Sequence, residues 1–166
     1  MPDSPYFMLH PDTAAARRAA DALFREVAAA LEAMLPASAQ LRHVGATAVP
    51  GCLTKGDLDI VVRVPAADFA DAEQMLAARY ARNSGSLRTE TFASFEDAGT
   101  SPHLGIQLAV IDGPEDFFHL FADALLSDRR RIDGYNALKR TFDGKPMDEY
   151  RDAKGTFVAK VLSAQR

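Results

Sequence analysis

Two aspartates stand two residues apart at the head of an apolar run, Asp57-Leu58-Asp59-Ile60-Val61-Val62-Arg63-Val64. Side chains alternate along a strand, so Asp57, Asp59, Val61 and Arg63 share one face while Leu58, Ile60, Val62 and Val64 share the other. The second face is wholly apolar and is expected to enter the core. The first brings two carboxylates together, and their repulsion raises the cost of ionising both. A compensating positive charge is therefore expected beside them. A hard divalent cation suits such ligands, since Mg²⁺ takes one or two carboxylates and completes its shell with phosphate oxygens and water. Arg63, further along the same face, is the alternative compensating group.

Other residue types near this pair invite chemical readings. Lys55 and His43 flank the intervening loop, where each could contact a phosphate or a base. Cys52 is read as an ordinary reduced thiol, because no histidine is placed by sequence to activate it. Tyr135 with Lys139 and Tyr150 with Lys154 repeat a Tyr-x-x-x-Lys spacing. With no GxGxxG after a strand to suggest a dinucleotide site, both are read as packed tyrosines with an adjacent surface lysine. Arg129-Arg130-Arg131 is read as the solvated start of a helix, able also to face a phosphate.

The elements that must position these residues can be traced from periodicity. After Pro11 and the cap Asp12, apolar residues from Ala20 to Leu35 recur at three- and four-residue steps, which predicts a helix ending at Pro36. Leu41 to Ala46 reads as a short strand, Val49-Pro50-Gly51 as a turn, and Asp57 to Val64 as a second strand. Pro65 opens a helix with Phe69, Ala72, Leu76 and Tyr80 inward. Leu87 to Asp97 and His103 to Asp112 read as an antiparallel pair. The last third is helical, with one helix predicted to start at Pro114 and to carry Glu115 and Asp116 in its first turn, where the helix dipole favours acids. The expected architecture is α+β: a small mixed sheet flanked by helices, with a helical C-terminal subregion, in one domain over residues 1–166.

The stretch from His43 to Ile60 is the most specific. A strand ending in Gly45-Ala46, ten intervening residues, and then Asp57-Leu58-Asp59-Ile60 resemble the nucleotidyltransferase superfamily pattern. There a strand ends in Gly-Gly or Gly-Ser and the next opens with acid, apolar, acid, apolar. In that pattern glycine lets backbone amides approach phosphate and the serine hydroxyl helps hold it. Ala46 stands in the serine's place, so Thr47 is left to supply a hydroxyl. A closer resemblance, to the GrpB family within that superfamily, rests on His43-Val44-Gly45-Ala46-Thr47-Ala48-Val49-Pro50-Gly51, Lys55 and the two aspartates. Phe121 to Leu125, Tyr135 to Lys139, Tyr150 to Lys154 and Phe157 follow in the order of that family's C-terminal helices. Ala122 stands where the family usually carries arginine.

The resemblance implies a nucleotidyltransferase fold that binds a nucleoside triphosphate. Asp57 and Asp59 would hold Mg²⁺, one ion or two, with His43, Gly45, Ala46, Thr47 and Lys55 contacting substrate. Two-metal transfer needs a third carboxylate. In the strand from His103 the apolar set Leu104, Ile106, Leu108 and Val110 takes the core face, which leaves Gln107 at the place for that acid. A neutral amide can orient water or ligate weakly, but it cannot act as a general base. Glu90 and Glu96 are the candidate substitutes.

Composition sets the outer limits. The 166 residues are 48% hydrophobic and 25% charged, which matches an ordinary globular domain. The single cysteine forms no internal bridge and fits a reducing cytoplasm. The start of the chain lacks signal-peptide features, and no apolar run approaches membrane-spanning length. From Asp128 onward ten Lys or Arg face six Asp or Glu, whereas nine face seventeen before it. An anionic ligand would suit the boundary between an acidic front and a basic tail. The expected partners are a nucleoside triphosphate and an acceptor of undefined chemistry, with neither membrane nor nucleic acid.

Overall fold

In the computed structural model, described for residues 4–165, five helices and five strands follow in the order α1 (Thr13–Met34), β1 (Gln40–Val44), β2 (Leu58–Val64), α2 (Ala66–Arg79), β3 (Ala81–Arg82), β4 (Phe92–Asp97), β5 (Leu104–Val110), α3 (Phe118–Ser127), α4 (Arg129–Phe142) and α5 (Met147–Ala164). The strands form one mixed sheet in the order β1-β2-β5-β4-β3. β2 and β5 run parallel at its centre, and the other pairings are antiparallel. This is the α+β architecture expected from the sequence. No helix among the described residues is long and apolar enough to cross a membrane.

The alternation in β2 sorts the two faces of the sheet. Leu58, Ile60, Val62 and Val64 are fully buried in the main core with Leu104, Ile106 and Leu108 of β5, covered by α1 and α2. Asp12 caps α1 through its side chain, which accepts from the Ala15 amide at 3.0 Å. The opposite face is covered by the C-terminal helices. Val61 and Val44 pack against Phe118 and the buried Ala122 of α3. A methyl group at 122 lets α3 lie close on the sheet, and it offers no phosphate contact. A second cluster joins the loop residues Val49 and Cys52 to Leu125, Ile132 and Tyr135. The N-terminal segment is tied to this layer by Phe7, whose ring stacks on Tyr150 with centroids 3.7 Å apart.

Several predicted boundaries move, the start of α3 for a long-range reason. β1 ends at Val44 because Gly45 turns the chain at φ +78° into a short 3₁₀ turn over Ala46–Ala48. The strand predicted from Leu87 begins only at Phe92, and Glu90 lies outside it, lining a groove with Glu73 and Arg88 on the α2 side. The helix predicted at Pro114 begins at Phe118. Asp116 is instead gripped by Arg63 of β2, through Nε at 2.6 Å and Nη2 at 2.7 Å, and accepts from the Asp112 amide. Arg63 is thus not the partner of Asp57 and Asp59.

The Asp116 side chain is 2% exposed, so removing it strands a guanidinium. Burial alone would raise its pKa, but the Arg63 bond, the Asp112 amide and the Arg63 charge together hold it below the usual carboxylate range. Its stabilising contribution is complete above the unfolded carboxyl pKa and is lost as pH falls through the lower folded value. Asp116→Ala is expected to cost about 3 kcal/mol at pH 7 in urea unfolding. The difference from wild type should shrink below roughly pH 4.

Candidate functional site

The site forms where the β1–β2 turn meets the second face of the sheet. Its geometry depends on absent side chains. A Cβ on Gly45 would lie 2.7 Å from Asp59 Oδ2, and one on Gly105 would lie 2.9 Å from Asp59 Oδ1. Gly105 is the register partner of Asp59 on β5. Asp59 therefore stands between two backbones that approach it only because both residues are glycine.

Two cavities adjoin here and share Asp59, Tyr135 and Lys154 as walls. The smaller is rich in charge, lined by Asp57, Lys55, Lys139 and Thr54, with Ala46, Phe7 and Tyr150. The larger, about 170 Å³, is lined by Val44, Gly45, Gln107, Val158 and the rings of Phe117, Phe118 and Phe121. Gln107 lies opposite Val61 in register and on the Asp59 face, as the alternation in β5 predicted. Its Oε1 is buried and has no hydrogen-bond partner among the described residues.

Basic side chains surround the carboxylates. Lys55 Nζ lies 2.9 Å from Asp57 Oδ2, and His103 Nδ1 lies 3.8 Å from the same oxygen. Burial raises the Asp59 pKa and the Asp57 charge adds to the rise, while Lys154, Lys55 and His103 oppose it. The compensation predicted from the paired aspartates is thus supplied by ammonium groups rather than by Arg63. Among the described residues no cluster of three or more His, Cys, Asp or Glu could hold an ion alone. Two carboxylates on one cavity do fit Mg²⁺ as part of a shell whose remaining oxygens come from phosphate and water.

Of the residues expected to contact substrate, Gly45, Ala46 and Lys55 line these cavities, while His43 and Thr47 sit behind them. Thr47 is 1% exposed; its hydroxyl donates to the Asp57 carbonyl at 2.9 Å and lies 2.8 Å from His43 Nε2. His43 in turn faces Asp21 of α1 at 3.3 Å, and burial lowers its pKa despite that carboxylate. Both residues hold the turn in place. Glu96 shares the Asp59 face across Gly105, but its carboxylate lies 3.5 Å from His103 Nε2, outside both cavities.

The lysines read as surface residues are the main correction. Lys139 is 2% exposed, donates to the Leu53 carbonyl, and lies 4.0 Å from the Tyr135 ring centroid. Lys154 lines both cavities. The signal was present in the Tyr-x-x-x-Lys spacing, which puts tyrosine and lysine on the same side of a helix one turn apart. The Tyr135 and Tyr150 hydroxyls lie 3.4 Å apart, so α4 and α5 present both lysines to one region. The aromatic wall from α3 carried no comparable sequence signal.

Burial lowers the Lys139 pKa to about 7, with Lys154 acting in the same direction and Cys52 and Asp59 opposing. Between pH 7 and 9.5 the unfolded chain keeps this proton and the folded chain sheds it. Stability from this group should therefore rise with pH by up to about 1.4 kcal/mol per pH unit. Lys139→Met is expected to remove that rise in urea unfolding measured across the window.

Comparison with known proteins places this geometry in context. The GrpB protein family model matches residues 14–164. The UPF0157 protein VC_A0354 of Vibrio cholerae is 30% identical over 141 residues, covering 84% of this chain and 74% of that protein. The crystal structure of the conserved protein GrpB from Enterococcus faecalis superposes with a TM-score of 0.68 at 21% identity, covering 89% of this chain and 94% of that one. Cid1 poly(U) polymerase, solved with MgGTP bound, reaches 0.49 at 14% identity over 70% of this chain and 39% of its own, a likeness too loose to carry an argument.

Proposed function

The chain belongs to the GrpB family, and from that premise we propose that it is a nucleotidyltransferase-like protein of the cytoplasm, one domain over residues 1–166, that binds a nucleoside triphosphate with Mg²⁺. One observation carries the reading. Asp59, pinned between Gly45 and Gly105, is the acidic wall common to a lysine-rich cavity and an aromatic one. A polyphosphate suits the first, where Lys55 and Lys154 supply positive charge and Lys139 is poised to take a proton as an anion enters. Asp57 and Asp59 would hold the ion, and Lys55 would exchange its contact with Asp57 for one with phosphate. The bound ion supplies charge neutralisation on the phosphate oxygens. Gly45 and Ala46 carry the turn whose backbone faces the substrate, and His43 and Thr47 keep that turn closed against Asp57.

In the transfer itself an acceptor hydroxyl oxygen bonds to the α-phosphorus, the bond to the β-phosphate oxygen breaks, and pyrophosphate leaves. The hydroxyl proton passes to water, because Gln107 can orient the acceptor but cannot take its proton. The same neutral amide favours a second reading, in which the site binds nucleotide or another small anion without turnover.

Calorimetry with ATP, CTP, GTP and UTP, with and without Mg²⁺, separates the two. Mg²⁺-dependent binding should be lost at least tenfold in Asp59→Asn. Pyrophosphate release alongside it supports transfer, and binding without release supports the module. Binding unaffected by Asp59→Asn contradicts both.

A further inference from the structure

The charged cavity is too small for the triphosphate assigned to it. It holds about 50 Å³, whereas a pocket that buries a small organic ligand measures roughly 300–1,000 Å³. One of its walls must therefore move. Most are fixed: the turn at Gly45 and the strand at Gly105 close on Asp59, Tyr135 packs in a buried cluster with Val49, Leu125 and Ile132, and Asn136 and Lys139 hold the loop at Gly51 and Leu53. The remaining wall is Phe7. It belongs to a segment, residues 5–10, that makes no helix, adds no strand to the sheet and takes no part in the main core. One end is tied to the turn between α4 and α5, where the Phe7 amide donates to the Lys145 carbonyl at 2.8 Å, the Gly144 amide to the Phe7 carbonyl at 2.7 Å and the Met147 amide to the Pro5 carbonyl at 2.8 Å. The other end reaches the loop beside Lys55, where the His10 amide donates to the Thr54 carbonyl at 2.8 Å. Phe7 is 1% exposed, but its neighbours Tyr6 and Met8 are 53% and 55% exposed. A segment held by so few buried contacts opens at lower cost than the sheet or the helices. Beside it lies an open groove of about 460 Å³ that has His10 on its rim and shares Lys55 and Asp57 with the cavity.

Resting on the reading that a triphosphate binds at Asp57 and Asp59, we propose that residues 5–10 form an autoinhibitory strap. Seated, its Phe7 ring lies flat on Tyr150 and closes the charged cavity. Lifted as a unit, it opens that cavity toward the groove along Lys55 and Asp57. The seated strap and the bound triphosphate exclude one another, so affinity is reduced by the fraction of molecules in which the strap is down. The Asp12 cap keeps the start of α1 in place as the pivot.

A reversible lock tests this. Tyr6 and Pro146 face each other in an antiparallel bridge flanked by the Phe7 and Met147 amide bonds. In such a non-hydrogen-bonded pair the Cα atoms lie roughly 4.5 Å apart, within the span of a disulfide. In calorimetry the oxidised Tyr6→Cys/Pro146→Cys protein is expected to bind Mg²⁺·ATP at least about tenfold more weakly than the same sample after reduction. Equal affinity of the two forms overturns the strap, and the reduced form shows that the variant folds. Amide hydrogen exchange on the wild-type chain needs no ligand. The Phe7, Gly144 and Met147 amides should share one opening equilibrium and exchange at least about a hundredfold faster than those of Ile60 and Ile106 in the central strands. Exchange as slow as in those strands, or at unrelated opening equilibria for the three amides, overturns the strap as well. Shared fast exchange in a wild-type chain that binds no nucleotide upholds the strap and removes the triphosphate reading, whereas nucleotide binding indifferent to the lock removes the strap alone.

Discussion

Placing two neighbouring carboxylates, one of them desolvated by burial, on the wall of one cavity is the constraint from which the rest of this site follows. Asp59 cannot be moved away, because the backbone at Gly45 and Gly105 closes on both of its oxygens. Burial raises its pKa, and Lys154 and Lys55 oppose that rise from the open side. Neither of these groups is near Asp59 in the same strand. The fold must bring a loop lysine and the last helix to one point.

The C-terminal helices achieve this through repetition. Tyr135 and Tyr150 meet at their hydroxyls, and each helix carries a lysine one turn beyond its tyrosine. Lys139 is held in place by the Leu53 carbonyl and the face of Tyr135, so its head group is fixed although its charge is costly there. Asn136 adds a second tie, donating to the Gly51 carbonyl at 2.9 Å and accepting from the Leu53 amide at 2.8 Å. The loop between β1 and β2 is thereby clamped from α4. On its other side Thr47 ties the same loop to Asp57. The loop carrying Lys55 is thus positioned by hydrogen bonds at both ends.

What could be read from the sequence depended on how local its cause was. The Asp12 cap, the apolar stripe of α1, the alternation that split β2 into a core face and a site face, and the place of Gln107 in β5 all follow from residues a few positions apart. The start of α3 did not, because Asp116 answers to Arg63, 53 residues earlier. The same holds for Lys139, which reaches a carbonyl 86 residues away and was read as a surface residue on helical grounds alone. His43 illustrates a subtler limit. Its position beside the turn was legible, but its partners Asp21 and Thr47 place it behind the site instead of in it.

If Asp57 and Asp59 already share nearby ammonium groups, a divalent ion should bind weakly alone and well with a triphosphate that draws those ammonium groups away. Electron paramagnetic resonance of Mn²⁺ measures this directly, since the free-ion signal disappears on binding. Wild-type protein should leave the Mn²⁺ signal nearly intact without nucleotide. With ATP it should take up more Mn²⁺ than ATP does by itself, and Asp59→Asn should abolish the excess. An excess that is unchanged in Asp59→Asn would show that this carboxylate pair is not where metal and nucleotide meet.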